Sequence, residues 1–307
     1  MHKETFMADY FSSEFTLGIL GGGQLGKMLL YETRKYDIKT KVLDSSIDAP
    51  CRIACDVFVQ GNLMDYDTVY RFGRTVDLLT FEIENVNVAA LEKLESEGKK
   101  VYPSSKTLRN IQDKGIQKEF YKTNGIPTAA FKVFQSKSAL NEGVTQKESN
   151  FPFVWKSSTG GYDGKGVRIM RSAEDIESLP DVPCIAEELI PFKNELAVIV
   201  ARNPEGEIKT YPVVEMEFHP EANQVEYVIC PARIENAVAT KAQEIARKVS
   251  EAFDHVGLLA VEMFQTNDDK IMVNEVAPRP HNSGHHTIES SYTNQIEQHL
   301  REVLNLP

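Results

Sequence analysis

Apolar runs of strand character alternate with helical runs through the first hundred residues, and this order constrains the fold more than any other feature. "FTLGIL" precedes a helical pattern over residues 24–36, "TKVLD" precedes one over 65–73, and "VDLLTFE" precedes one over 87–97. Parallel strands need a crossover long enough to hold a helix, so the alternation predicts a mostly parallel sheet covered by helices. After "KKVYPSS" the character changes. A lysine-bearing helical stretch, "SKTLRNIQDKGIQKEFYKTNG", ends at Gly125 with Pro127 beyond, as helices do. From "FPFVWKSS" onward the pattern is mostly short strands, interrupted by one long helix at about 235–254 and closed by a helix near 290–305. The predicted fold class is therefore α/β at the N-terminus and α+β after it.

Bulk properties exclude several functions. The chain has 307 residues, 41% of them hydrophobic, enough for two or three domains with cores of their own. No apolar run reaches the length of a membrane span, and the N-terminal "MHKETFMADYFSSEF" has acidic residues and no apolar signal region, so a cytoplasmic location is expected. A formal charge of -11 argues against nucleic acid as partner, while leaving room for a local basic pocket. Cys51, Cys55, Cys184 and Cys230 show no paired zinc spacing and read as reduced and structural.

Two glycine-rich segments compete for the phosphate-binding role. In "GILGGGQLGKMLL", Gly21, Gly23 and Gly26 fall on the G-x-G-x-x-G spacing between a strand and a helix, which by itself points to a dinucleotide turn. The second segment, "KSSTGGYDGKG" at 156–166, lies between two strands and lacks P-loop spacing. Its four glycines permit close backbone approach, and Lys156 and Lys165 add charge beside the exposed amides. That combination suits a flap over a triphosphate.

A pair of glutamates is more specific. "LLAVEMFQT" and "KIMVNEV" form a hairpin around "NDD"; with the turn centred between Asp268 and Asp269, Glu262 faces Glu275 on one side of the sheet. A shift by one residue would put them on opposite faces. Opposed carboxylates among apolar neighbours repel unless a hard divalent cation such as Mg²⁺ sits between them, and Asn274 can add an oxygen if the backbone bends there. Immediately downstream, "NEVAPRPHNSGHH" crowds Arg279, His281, Asn282, Ser283 and His285 into an irregular loop suited to an anionic intermediate. A serine hydrolase is disfavoured by the absence of a G-x-S-x-G elbow, and a zinc site from His281, His285 and His286 fits the acidic surroundings less well than magnesium.

Together, "ILGGGQLGKML", "LLTFEIENV", "LRNIQDKGIQKEF", "VWKSSTGGYDGKGV", "VEMF" and "NEVAPRPHNSGHHT" resemble, in order, the ATP-grasp superfamily, and within it the N5-carboxyaminoimidazole ribonucleotide synthetases of purine biosynthesis. The resemblance runs from about residue 16 to the end of the chain. It implies an N-terminal Rossmann-like domain (1–110) that does not use NAD, an ATP-grasp lid (111–187) and a larger ATP-grasp portion (188–307). It also implies ATP and Mg²⁺ (or Mn²⁺) as cofactors, aminoimidazole ribonucleotide and bicarbonate as substrates, and a homodimer.

Residue by residue, the resemblance places Gln24, Leu25 and Glu82 at the ribonucleotide, with Asp44 only imitating the ribose-binding acid of a dehydrogenase. Lys114 and Lys156 would hold ATP phosphates under a loop formed by Gly161, Tyr162, Asp163, Gly164, Lys165 and Gly166. Glu187 and Glu195 would take the adenine-ribose end, and Asn274 would join Glu275 at the nucleotide. Glu262 and Glu275 would bind the metal, while Tyr162, Asp163, Arg279 and His281 would meet bicarbonate, carboxyphosphate and the ribonucleotide, with Asp163 or His281 accepting the amine proton. Two features depart from the family. Ser158 stands where many relatives carry arginine, and the chain stops at Pro307, before a basic β-rich portion that would bind the ribonucleotide phosphate. The expectation is retained ATP binding with weakened ribonucleotide affinity. An ATP-grasp enzyme for another purine precursor, or a nucleotide-binding form without full activity, are the alternatives.

Overall fold

A computed structural model describes residues 14–160, 166–218 and 225–306. Strands β1 (Thr16–Leu20), β2 (Lys39–Asp44), β3 (Val57–Gln60), β4 (Leu78–Phe81) and β5 (Lys100–Val101) form one sheet in the order β3-β2-β1-β4-β5. Every pairing in it is parallel. Helices α1 (Gln24–Lys35), α2 (Tyr66–Gly73) and α3 (Val88–Ser96) make the crossovers that parallel pairing requires. The predicted sheet is present, with β3 and β5 added; both are short, and their weak alternation hides them in the sequence.

The helical stretch that follows is two helices. Asp113 leaves helical geometry (φ -115°, ψ 118°) and its carboxylate accepts from Ile116 N–H at 3.0 Å, so α4 (Ser105–Gln112) ends there and α5 (Lys114–Thr123) begins. Lys114 is thereby placed on the first turn of a new helix. A second sheet, β6 (Phe131–Phe134), β7 (Phe153–Ser157), β8 (Val167–Met170) and β9 (Cys184–Glu188), is antiparallel in the order β6-β9-β7-β8. With α6 (Lys137–Thr145) and α7 (Ala173–Glu177) it buries Phe134, Leu140, Phe153, Trp155 and Ile176 in a core of its own.

The third sheet contains β10 (Phe192–Arg202), β11 (Ile208–Thr210), β12 (Val214–Phe218), β13 (Val225–Ile229), β14 (Gly257–Thr266) and β15 (Ile271–Ala277). Along α8 (Asn236–Phe253), Val238, Ala242, Ile245, Val249 and Phe253 recur at helical spacing and pack on Leu196, Val198, Leu259, Val261, Val273 and Val276. After the short α9 (Thr287–Ser290), α10 (Gln295–Leu304) returns to the first sheet, where Ile296, Leu300 and Val303 join Leu17, Ile19 and Leu30. On this helix His299 is fully buried; its Nε2 lies 2.8 Å from Thr80 Oγ1 on β4, and its Nδ1 accepts from Leu258 N–H on β14 at 3.2 Å. One imidazole thus ties the first sheet to the third. All four cysteines are free, and no helix among the described residues is long and apolar enough to cross a membrane.

Candidate functional site

The hairpin of β14 and β15 reaches the predicted pairing by an unpredicted route. Its turn centres on Asp268, with Thr266 N–H donating to Lys270 O at 2.9 Å and Asp269 left-handed (φ 63°). Met263 therefore faces Val273, one residue off the expected register. Continued without interruption, that register would set Glu262 opposite Asn274 and turn Glu275 toward α8. A β-bulge at Asn274 corrects it, so that Glu262 faces Glu275 and both Val273 and Val276 point into the α8 core. The backbone bend that would free Asn274 is present, but its Oδ1 accepts from Lys156 Nζ at 2.9 Å.

Cations from two other elements converge on this hairpin. Lys114 Nζ lies 2.9 Å from Glu275 Oε2 and holds that carboxyl well below the usual range, whereas burial and the facing Glu275 push Glu262 up. Lys156 on β7 pairs with Glu187 Oε2 at 3.0 Å, and Lys118, only 2% exposed, takes the other oxygen at 3.2 Å. Burial lowers Lys118 to about 8, although Glu187 opposes the shift. Glu187 is thus paired with two lysines at once. Glu195 lies on the carboxylate face, since its near neighbour Ala197 pairs with Glu262, and burial raises it to about 7.

The glycine turn before α1 is occupied from within the protein. Glu82, just beyond β4, accepts from Gly23 N–H at 2.8 Å and from Gly26 N–H at 3.0 Å, and Gly22 N–H donates to Asp44 Oδ2 at 2.7 Å. The helix N-terminus and the acid that a dinucleotide would use are both taken by these internal bonds. A side chain at Gly21, whose φ is +98°, would collide with Glu82, so the motif serves close carboxylate approach.

A cleft of about 480 Å³ joins these parts; Leu25, Glu82, Lys114, Glu262, Glu275, Arg279 and His281 all line it. Gln24 is exposed on the first turn of α1 and is not among the lining residues. Lys156, Glu195 and Asn274 are not among its lining residues, and Glu187 lines a second cavity, of about 320 Å³, with Lys132, Phe153 and Glu188. Gly166 closes the base of the second glycine loop, accepting from Ser157 N–H at 2.9 Å; Gly161, Tyr162, Asp163, Gly164 and Lys165 lie outside the described residues. Ser158 is 2% exposed, and its carbonyl accepts from Lys114 N–H at 2.8 Å, so this position anchors Lys114 through its backbone.

Several contacts were missed from sequence. Arg279 Nε pairs with Glu84 Oε1 at 2.9 Å; the signal available was a second carboxylate two residues after Glu82 in "TFEIENV". His281 Nε2 lies 3.4 Å from Glu262 Oε1, while its Nδ1 accepts from Ser283 N–H at 3.3 Å. Burial, then the neighbouring Arg279, depress His281 to about 3, so the ring is neutral with its proton on Nε2. The three histidines of the loop do not converge on a metal: His285 Nδ1 meets Gln295 at 3.3 Å and His286 Nδ1 meets Ser290 at 3.1 Å.

A ribonucleotide synthetase preATP-grasp domain model matches residues 15–112, and an ATP-grasp domain model matches residues 119–296. The N5-carboxyaminoimidazole ribonucleotide synthase of Bacillus subtilis is 37% identical over 295 residues, covering 95% of this chain and 76% of that protein. The chain belongs to the N5-carboxyaminoimidazole ribonucleotide synthase family of ATP-grasp proteins. It is also 40% identical to the phosphoribosylaminoimidazole carboxylase of Saccharomyces cerevisiae, over 95% of this chain and 52% of that protein. The chain therefore spans about half the length of such fungal relatives. Among solved structures of the family, the Aspergillus clavatus N5-carboxyaminoimidazole synthase in complex with ADP and 5-aminoimidazole ribonucleotide superposes with a TM-score of 0.87 at 38% identity, covering 95% and 77% of the two chains. The Thermotoga maritima synthetase gives 0.86 at 41%, covering 95% and 76%.

Proposed function

We propose that this chain binds ATP, bicarbonate and 5-aminoimidazole ribonucleotide in the cleft and forms N5-carboxyaminoimidazole ribonucleotide, a carbon–nitrogen ligation driven by ATP. One observation carries the reading: Lys114 with the Glu262–Glu275 pair, and Glu82 with Arg279 and His281, line a single cavity of about 480 Å³. Groups suited to phosphate and groups suited to an anionic ribonucleotide thus share one space. The family membership, and the ADP and ribonucleotide named for the Aspergillus clavatus relative, support the same assignment. Divisions near residues 110 and 187 belong to the same proposal, although the second falls within β9 and α10 packs back on the first sheet.

The donor set fits a divalent metal. Glu262 and Glu275 are hard oxygen ligands on facing strands, and burial together with mutual repulsion already disfavours charge on Glu262. Mg²⁺, or Mn²⁺, held by these two residues would offset charge on the nucleotide phosphates. The chain's own cations do the rest of that work: Lys114, and Lys156 behind it, face the phosphoryl group as a bicarbonate oxygen attacks the γ-phosphorus and ADP leaves. The resulting carboxyphosphate is an acyl phosphate, which survives only where water is excluded. The ribonucleotide amine then attacks its carboxyl carbon and phosphate departs. His281 has its Nδ1 lone pair engaged by Ser283 and its proton on Nε2, which favours donation over acceptance; the amine proton is assigned instead to Asp163, outside the described residues. A cytoplasmic homodimer acting on small molecules completes the proposal.

The test is ADP release from Mg²⁺-ATP with bicarbonate and the ribonucleotide supplied separately and together. Release that requires both is expected; release indifferent to the ribonucleotide, or none despite ATP binding, overturns the assignment.

A further inference from the structure

Within the loop that carries His281, a single helical turn holds the backbone, with Gly284 N–H donating to His281 O at 2.9 Å. Pro278 and Pro280 flank Arg279 and supply no N–H, so ladder hydrogen bonds cannot order the segment beyond β15. A side chain from α10 fills the gap. Gln295 is fully buried; its Oε1 accepts from His281 N–H at 3.0 Å, and its Nε2 donates to His281 O at 2.7 Å. A primary amide presents an acceptor and a donor side by side, and here it serves one residue's backbone as a neighbouring strand would. The same Nε2 lies 3.3 Å from His285 Nδ1.

The far side of the contact is equally closed. Gln295 N–H donates to Thr287 Oγ1 at 2.9 Å, and that hydroxyl donates to Gly284 O at 2.6 Å. A Cβ at Gly284 would come within 2.2 Å of Gln295 Oε1, so the loop wraps the amide with no spare volume. Within the loop, Ser283 engages His281 Nδ1, leaving Nε2–H directed at Glu262.

We propose that Gln295 is a positioning residue for His281: its amide grips both backbone polar groups of His281 and thereby sets the imidazole against Glu262 at the ATP-grasp cleft. The effect on turnover rests on the function proposed above; the effect on the imidazole does not. Misplacement of about 1 Å in a reacting group costs up to about a hundredfold in rate, so loss of the grip should act on kcat, with nucleotide affinity little changed.

The experiment uses the full chain with Gln295→Met, which keeps length and removes both hydrogen bonds, and Gly284→Ala, which pushes on the amide from the opposite side. Long-range ¹H–¹⁵N spectra of the histidine rings, with His281 identified by its loss in His281→Asn, read the tautomer directly. In the unaltered chain His281 should show the neutral Nε2–H form. In both variants its signals should move toward a mixture of tautomers, while those of His299, one turn along the same helix, stay put and report an intact fold. If Gln295→Met disturbs His299, Gly284→Ala decides. An unchanged His281 pattern with His299 intact overturns the proposal. Where ribonucleotide-dependent ADP release is found, Gln295→Met should lower kcat at least about tenfold with KM for ATP within about twofold, and should add less than about twofold in a His281→Ala background. An undiminished kcat, or full additivity, also overturns it. Absence of that release in the unaltered chain, with the His281 signature still responding, would defeat the function and leave the positioning role standing.

Discussion

Replacing His299 by leucine tests how the two sheets that build the cleft are joined. The imidazole lies 2.8 Å from Thr80 Oγ1, two residues before Glu82, and accepts from Leu258 N–H at 3.2 Å, four residues before Glu262. Leucine is similar in volume but offers neither bond. Each buried group left without a partner costs about 1–3 kcal/mol, so the loss at pH 7.5 should be about 4 kcal/mol. The penalty should also depend on pH. Burial, then nearby His255, depress His299 to about 3, whereas an unfolded histidine titrates near about 6.5. The folded state therefore excludes the proton: the neutral ring's contribution is complete above about pH 6.5 and is lost as pH falls toward the folded value. Between pH 7.5 and pH 5 this group alone should cost the unaltered chain about 2 kcal/mol, a loss the leucine variant lacks. Urea unfolding followed by far-ultraviolet circular dichroism at the two pH values should then show the mutational penalty shrinking from about 4 to about 2 kcal/mol. An equal penalty at both values would refute the neutral, doubly bonded ring.

Three other outcomes follow from the site. Glu262→Gln and Glu275→Gln should each lower the divalent-ion-dependent release of ADP by about 10²-fold or more, with far-ultraviolet circular dichroism unchanged; activity within about threefold would remove the pair from the metal role. Arg279→Ala should weaken ribonucleotide binding by about 10- to 100-fold, as loss of a charge-assisted contact does, while ATP affinity measured by calorimetry stays within about twofold. Lys118→Met leaves Glu187 with Lys156 alone, and removing one partner from a buried ionic cluster should cost about 3–5 kcal/mol in thermal or urea unfolding; a neutral result would mean that Glu187 does not need its second lysine.

Local pattern carried much of this protein. Strand-helix alternation was enough to place β1, β2 and β4 with α1 to α3, because a buried parallel strand reads as an apolar run and its crossover helix as an amphipathic one. Hidden elements were those whose signal is brief: β3 and β5 span four and two residues, and α4 breaks from α5 at a single aspartate whose capping bond is visible only once the backbone is traced. Candidate chemistry was legible where residue type and spacing coincide, as in Glu262 and Glu275, Lys156, or Arg279 and His281, whereas Lys114 was marked only by the family resemblance. The partners that tune those groups come from remote segments. Nothing near Glu187 in sequence announces Lys118, and nothing near His281 announces Gln295.

The sequence by itself determined the apolar periodicities, the glycines that allow close approach, and the carboxylates and cations available for chemistry, since these are properties of residues and their neighbours. Tertiary structure decided how they were used. The G-x-G-x-x-G turn became a cradle for Glu82 because β4 lies beside β1 in the sheet and delivers that carboxylate to the helix N-terminus. Glu275 reached the cleft because Asn274 bulges, and the bulge is favoured by a core on α8 that takes Val273 and Val276 together. A turn shifted by half a step and a bulge of one residue cancel at Glu262; only packing across the sheet could select that register, because a slip of one residue would exchange core and cleft.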